Sequence, residues 1–173
     1  MRTQAVILKK IPIREYDELV VCYTDNLGKQ IYQAKSVVKA TSVQASHLDI
    51  FNWVDFSLIK GNGHAIITGA HALRSFANLK SSLPALASGY FLLECFDRLV
   101  FEGEADAQLW HFLTKKLEQF DALAKHGYNF WPTVINSTRQ ELLATMGYDS
   151  NAVIEELAGK HFQSLHFARK VIR

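Results

Sequence analysis

The sequence predicts an α+β protein, a five-stranded β-barrel followed by an α-helical half, and three observations carry that prediction. The first eighty residues hold five segments rich in Val, Ile, Tyr, Phe and Thr, each bounded by turn-forming residues. Beyond Ser82 the apolar spacing changes to the three-and-four pattern of helices. Five short strands in so little chain favour a closed sheet, because closure removes the edges that otherwise aggregate.

The strands are expected at Gln4–Ile11, Leu19–Thr24, Lys29–Val38, Phe51–Lys60 and His64–Leu73. Asn26-Leu27-Gly28 suits a short hairpin turn, with Gly28 free to take positive φ, and Asn62-Gly63 is the pair that a two-residue type I′ turn prefers. Between the third and fourth strands, Lys39–Asp49 is a polar connection with room for a short helix. The helical half opens at Ser82, a possible N-cap, with Pro84 in the first turn and no breaker before Gly103; this helix is apolar on nearly all sides and suits a central position. In "DAQLWHFLTKKLEQFDALAK", Leu109, Phe112, Leu113, Leu117 and Phe120 share a face, with Lys115, Lys116 and Glu118 largely on the other. "TRQELLATMGY" gives a third helix that stops at Gly147, and "NAVIEELAG" and "HFQSLHFARKVIR" give two short final ones. The domains expected are 1–78, the barrel, and 79–173, the helices.

Composition narrows the class of function. At 173 residues and 49% hydrophobic, the chain has enough apolar material for folded cores. No run approaches the roughly 20 apolar residues of a membrane span, and MRTQAVILKK lacks the pattern of a secretory leader, so a cytoplasmic protein with no membrane partner is expected. Cys22 and Cys95 have no neighbours at metal-binding spacing and read as reduced core residues. Net charge is only +2, but residues 1–80 hold ten Lys/Arg against six Asp/Glu, and residues 81–173 nine against eleven, so the basic character lies in the barrel.

Catalytic chemistry does not assemble. No nucleophile with a base, paired carboxylates or glycine-rich phosphate loop is present, and "KGNGH" lacks the Lys-Ser/Thr and helix that such a loop needs. His161 and His166 are about 140° apart around a helix, and His64 and His71 fall on opposite faces of a strand, so neither pair suits a metal. No enzyme, cofactor or metal is expected. What remains is a binding surface. Lys9, Lys10, Arg14, Lys29, Lys35, Lys39 and Lys60 sit on or beside barrel strands, interleaved with Tyr16, Tyr32 and Trp53. Cations that follow phosphates and aromatics on which bases stack are what a small barrel needs to hold single-stranded nucleic acid; the competing reading puts Tyr32 and Trp53 in the core and leaves the lysines as solvated surface.

Two stretches, "AVILKKIPIREYDELVVCYTDNLGKQIYQAK" and "GYFLLECFDRLVFEGEADAQLWHFLTKKL", resemble the RecO family of bacterial recombination mediators, in that order and at about the family's distance apart. The family's R-E-x-D segment is Arg14-Glu15-Tyr16-Asp17, its threonine-containing x-G-K turn runs from Thr24 to Lys29, and its strand ending A-K is Ala34-Lys35. The helical signature is met by Tyr90, Leu92, Leu93, Glu94, Asp97 and Leu99, then Glu102-Gly103-Glu104, and further on by Leu142, Leu143, Gly147 and Tyr148. The resemblance implies an N-terminal OB-fold barrel and a helical domain. It also implies binding of single- and double-stranded DNA, strand annealing, contact with the tail of single-strand-binding protein, and work with RecR to load RecA, by a monomer without catalytic activity. Lys29, Lys35 and Lys39 would then face the DNA backbone. On the helical half, the acidic-hydrophobic tail suits an apolar groove rimmed by cations, with Arg98, Lys115 and Lys116 as candidates.

Three departures qualify the resemblance. The four-cysteine zinc module of many members is not matched after Gly147-Tyr148, so no zinc is expected. "SVVKATSVQASHL" is poorer in arginine than the family's stretch after A-K, which implies fewer phosphate contacts. The family's S-R-R-F-L-R is represented by Ser164–Arg169 without its basic pair; Arg169, Lys170 and Arg173 are the available substitutes, although cations in a last helical turn also answer the dipole. The alternative function is a protein-interaction adaptor whose barrel has lost DNA binding.

Overall fold

A computed structural model describes residues 1–39 and 41–172. Two compact units emerge, one made of Met1–Ser75 with Val100–Trp110 and the other of Phe76–Leu99 with the chain from His111 onward. The barrel unit thus takes back a segment from beyond the first long helix.

Five strands, β1 (Arg2–Pro12), β2 (Glu18–Thr24), β3 (Gly28–Ala34), β4 (Trp53–Ile59) and β5 (Ile66–Arg74), close in the order β1-β2-β3-β5-β4. All pairings are antiparallel except β3 with β5, where two parallel residue pairs, Gln33 with Ile66 and Ala34 with Ile67, complete the closure. This is the five-stranded barrel expected of an OB fold. Alternate residues fill it: Ala5, Ile7, Val20, Cys22, Tyr32, Val54, Phe56 and Ile67 share one core. The Tyr32 ring meets Phe56 edge-on at 5.8 Å.

A bulge between Ile7 and Lys9 shifts the β1 register by one residue, so Lys9 opposes Val21 and Lys10 opposes the inward-facing Val20. The bulge therefore puts Lys10 on the inward face and Lys9 on the outer one, the reverse of unbroken alternation from Ile7. Strand β3 stops at Ala34, short of the expected Val38, because Ser36 takes the left-handed region at φ 54; that conformation costs a non-glycine residue roughly 1–2 kcal/mol and ends the pleat. Strand β4 starts after Phe51, which is itself at φ 76. The connection between β3 and β4 folds as turns, without the expected helix, over its described residues. Its Gln44 Nε2 donates to the Thr68 carbonyl (3.1 Å) and its His47 Nδ1 accepts from the Ala72 backbone amide (3.2 Å), which satisfies backbone of β5 beyond the short β3 pairing. The β4–β5 connection runs from Lys60 to Ala65, longer than the two-residue turn expected at Asn62-Gly63.

The return segment Val100–Trp110 lies along the far end of β3. Lys29 and Glu102 form a parallel bridge, the Gly103 amide donates to the Lys29 carbonyl at 3.0 Å, and Tyr23 Oη donates to the Asp106 carbonyl at 3.3 Å. Trp110 meets Trp53 edge-on at 5.5 Å.

The second unit holds α1 (Ala77–Ser81), α2 (Leu83–Leu99), most of α3 (Ala107–Lys125), α4 (Trp131–Thr145), α5 (Ile154–Ala158) and α6 (Gln163–Val171). The Ser82 carbonyl accepts from the Leu86 amide at 2.8 Å, as an N-cap backbone should, while α2 ends at Leu99 rather than running to Gly103. Helix α2 is buried along much of its length, including Phe91, Leu92, Leu93, Cys95 and Phe96, which fits the central position expected. Asp106 caps α3 through its Oδ1, at 2.7 Å from the Gln108 amide. Helix α4 begins at Trp131, earlier than expected, with Pro132 in its first turn, where a missing N–H costs nothing. Among the described residues no helix is long and apolar enough to cross a membrane.

Candidate nucleic-acid interface

The register of the barrel decides which cations meet. Glu18 at the start of β2 opposes Ala34 at the end of β3, Ala34 opposes Ile67, and Ile66 opposes Ile59 at the end of β4. The β1–β2 loop, the exit from β3 and the β4–β5 loop therefore converge at one end of the barrel. A direct link is visible where the Gln33 amide donates to the Ala65 carbonyl at 2.8 Å. These are the connections that carry exposed Arg14, Lys35, Lys39 and Lys60. Tyr16 and Val38, exposed by 41% and 53%, add flat and apolar surface between the charges, and the Lys39 ammonium stands over the Tyr16 ring.

Hydrogen bonds hold this end together. The Asp17 carbonyl accepts from the Ile13 (3.1 Å) and Arg14 (3.4 Å) amides, and the Tyr16 carbonyl accepts from the Val38 amide at 3.3 Å. Asp17 Oδ1 accepts from the Ser36 amide at 2.8 Å. Tyr16 also hydrogen-bonds Glu15, which raises its phenol pKa and keeps the ring neutral.

The opposite end is acidic. Asp25 lies in the β2–β3 turn, and Glu102, Glu104 and Asp106 lie on the return segment beside it; all four are exposed. Among the described residues, four of the barrel's six exposed cations therefore gather at the end where the three loops converge, with Glu15 exposed beside them, while exposed Arg2 pairs with Asp55 of β4 and exposed Arg74 ends β5 opposite Trp53.

Other sequence candidates fall elsewhere. Lys29 is only 9% exposed and bridges to Glu102 at the acidic end, so it does not join Lys35 although both lie within or just after one strand. Lys10 pairs with Glu18 at 3.2 Å, at the mouth on the cationic end, and Lys9 is half-buried on the outer face. Tyr32 is core, and Trp53 donates to Gln4 Oε1 at 3.0 Å while packing on Trp110. Of the three aromatics interleaved with the cations, Tyr16 alone is exposed.

The docking candidates of the helical unit are not equivalent. Arg98 pairs with Glu94 at 2.6 Å, donates to the His161 carbonyl at 2.8 Å and stacks over Phe162. Lys116 is 8% exposed and reaches Glu141 at 2.7 Å and Gln119 at 3.2 Å. Only Lys115 projects into solvent. Sequence reasoning missed a groove of about 540 Å³ along α5 and α6, whose lining includes Val153, Phe162, Leu165, His161, His166 and Arg169. The five-residue spacing of the histidines hid it, because His161 precedes α6 and is not on its helical wheel. Among the described residues no group of three or more His, Cys, Asp or Glu is placed to hold a metal ion.

Comparison with known proteins matches residues 1–76 to the family described as Recombination protein O N terminal. Proteins named DNA repair protein RecO are similar over more of the chain. One from Dehalococcoides mccartyi is 29% identical across 86% of this chain and 65% of its own length. Those from Syntrophomonas wolfei and Clostridium kluyveri are each 27% identical, across 86% and 96% of this chain and 57% and 63% of their own lengths. The chain therefore spans somewhat less than two thirds of these relatives. The barrel is thus matched by the N-terminal domain of the RecO family, and the similarity to RecO proteins runs on through the helices.

Proposed function

We propose that this protein is a DNA-binding recombination mediator of DNA repair, without catalytic activity of its own, and that the cationic end of the barrel holds the DNA backbone. The convergence of Arg14, Lys35, Lys39 and Lys60 from three connections onto one end, with the acidic groups of the return segment at the other, carries the reading. Cations track phosphates without regard to sequence, and Tyr16 offers a base a flat face; both properties suit a protein that handles any strand. The names and resemblance of its relatives support the same reading. On it, the protein binds single- and double-stranded DNA, assists annealing, and cooperates with RecR in loading RecA. The helical unit takes the tail of single-strand-binding protein, with exposed Lys115 better placed than Arg98 or Lys116, whose charges are already paired.

The test is fluorescence anisotropy of labelled single-stranded DNA across a salt series, beside a Lys35→Glu/Lys39→Glu variant. Four phosphate contacts give a log–log salt slope of about −3, so affinity should fall roughly 50-fold between 50 and 200 mM salt. The variant should bind far more weakly and with a shallower slope. If the wild type does not bind at low salt, the barrel is no DNA surface and the protein acts as an adaptor between other proteins.

A further inference from the structure

We propose that Asp17 is the positioning residue of the cationic end, fastening the loop that carries Arg14 and Tyr16 to the turn that carries Lys35 and Lys39. This role deepens the DNA-binding reading above and rests on it. Asp17 follows β1 and sits immediately before β2, and its side chain is 14% exposed. Its two oxygens face different parts of the site. Oδ1 accepts from the Ser36 amide at 2.8 Å, on the β3 exit; Oδ2 lies 3.5 Å from the side-chain Nε2 of Gln33 and 3.9 Å from the Arg14 guanidinium. The backbone carbonyl of the same residue closes the loop by accepting from the Ile13 and Arg14 amides.

The β3 exit needs such a hold. Ser36 is in the left-handed region at φ 54, a conformation that a serine adopts only when its surroundings enforce it. A carboxylate accepting from its amide is a charge-assisted bond of the stronger kind. From that turn the chain runs through Val38, whose amide bonds back to Tyr16, to Lys39, whose ammonium stands over the Tyr16 ring. The Asp17 side chain therefore joins the two loops at their base, and the Val38–Tyr16 and Lys39–Tyr16 contacts join them again beyond it.

Asp17 is an anion among cations that would meet phosphate. Electrostatics alone predicts that removing its charge tightens DNA binding, whereas a positioning role predicts that removing its acceptor weakens it. The opposite signs allow a decision. With the full chain and a labelled oligo-dT probe, Asp17→Asn, which keeps an acceptor for Ser36, should bind at least as tightly as wild type. Asp17→Ala should bind at least five-fold more weakly, with a shallower salt slope. Adding Ser36→Gly to Asp17→Ala should restore much of the loss, because glycine takes positive φ without help. Amide exchange at Ser36 should quicken at least ten-fold in Asp17→Ala, a readout independent of DNA. An Asp17→Ala protein that binds as tightly as wild type, or unchanged exchange at Ser36, overturns the positioning role alone. A wild type that does not bind the probe at low salt overturns the DNA reading and this role with it. Should Asp17→Ala not fold, Asp17→Asn and the Asp17→Ala/Ser36→Gly pair still decide: weakened binding in the first, or no binding by a folded second, counts against the role.

Discussion

The Lys39 ammonium stands 5.3 Å from the centroid of the Tyr16 ring, joining residues from two loops that the sequence separates by a whole hairpin. The ring is 41% exposed, so one face remains available to a base. Base–aromatic stacking contributes about 1–3 kcal/mol per base. Tyr16→Ala should therefore weaken single-stranded DNA binding by roughly 5- to 150-fold, while Tyr16→Phe, which loses only the hydrogen bond to Glu15, should stay within about two-fold of wild type. Anisotropy titrations at one salt concentration separate the two. Equal affinity for all three proteins would mean that the ring does not stack.

Gly28 tests the return segment. It sits at φ +66, and a Cβ built there would stand 2.0 Å from the Glu104 carbonyl oxygen, a backbone atom that cannot swing aside. Gly28→Ala should cost about 2–4 kcal/mol, combining left-handed strain with overpacking. Gly103, also at positive φ, has open space around its Cβ position, so Gly103→Ala should cost only the backbone share, roughly 1–2 kcal/mol. Urea denaturation of the two variants gives the difference. If their midpoints coincide, the return segment is not held against β3.

These two sites mark what a reader of the sequence sees and what stays hidden. Alternating apolar residues made the strands legible, and the unbroken apolar run made α2 legible, because both signals are local. The end of β3 was not legible: Ser36 is in a conformation that serine rarely adopts, and only its neighbours across the barrel, Asp17 above all, hold it there. Lys29 looked equivalent to Lys35 for a similar reason. Its backbone bridges to Glu102, a residue far down the chain, and no periodicity within β3 reports that bridge. The start of α4 at Trp131 was not read either, although Pro132 is at home in a first helical turn. The bulge after Ile7 exchanged the faces that Lys9 and Lys10 would otherwise take, a shift of one residue that composition does not encode.

Glu94, part of the helical signature, has a structural task that makes its own prediction. Helix α6 lacks a side-chain N-cap at Phe162, and the Glu94 carboxylate of α2 takes that role from outside the helix. It accepts from the Gln163 amide at 3.1 Å, from the Ser164 amide at 2.8 Å and from the Ser164 hydroxyl. Orphan amides at a helix start, together with the dipole, favour an anion there. Glu94→Ala should lower stability by about 1–3 kcal/mol and speed amide exchange at Gln163 and Ser164. Exchange that rises equally throughout the helical unit would point to a general loss of packing and against a specific cap.

The two cysteines give a prediction about pH. Cys22 lies in the barrel core and Cys95 in the buried side of α2, both free thiols. Burial pushes both pKa values up, and the nearby Glu94 carboxylate adds to the rise at Cys95. Only a thiolate attacks a disulfide reagent, so the native protein should be inert to excess Ellman's reagent at pH 8, and two thiols should appear when urea is added. The same shift sets a stability window. Below the ordinary thiol pKa of about 8.5, folded and unfolded chains both keep the protons and stability is flat. Above it the unfolded chain releases protons that the folded chain retains, so stability falls as pH rises, by up to about 1.4 kcal/mol per pH unit for each thiol. Tyr32 and Tyr23, both buried, have pKa values raised chiefly by burial and join the loss above about pH 10. Urea midpoints between pH 7.5 and 10 should therefore decline, and a Cys22→Ala/Cys95→Ala variant should show a flatter curve below pH 10. A wild-type profile that stays level across that range would mean that the thiols are hydrated in the native protein.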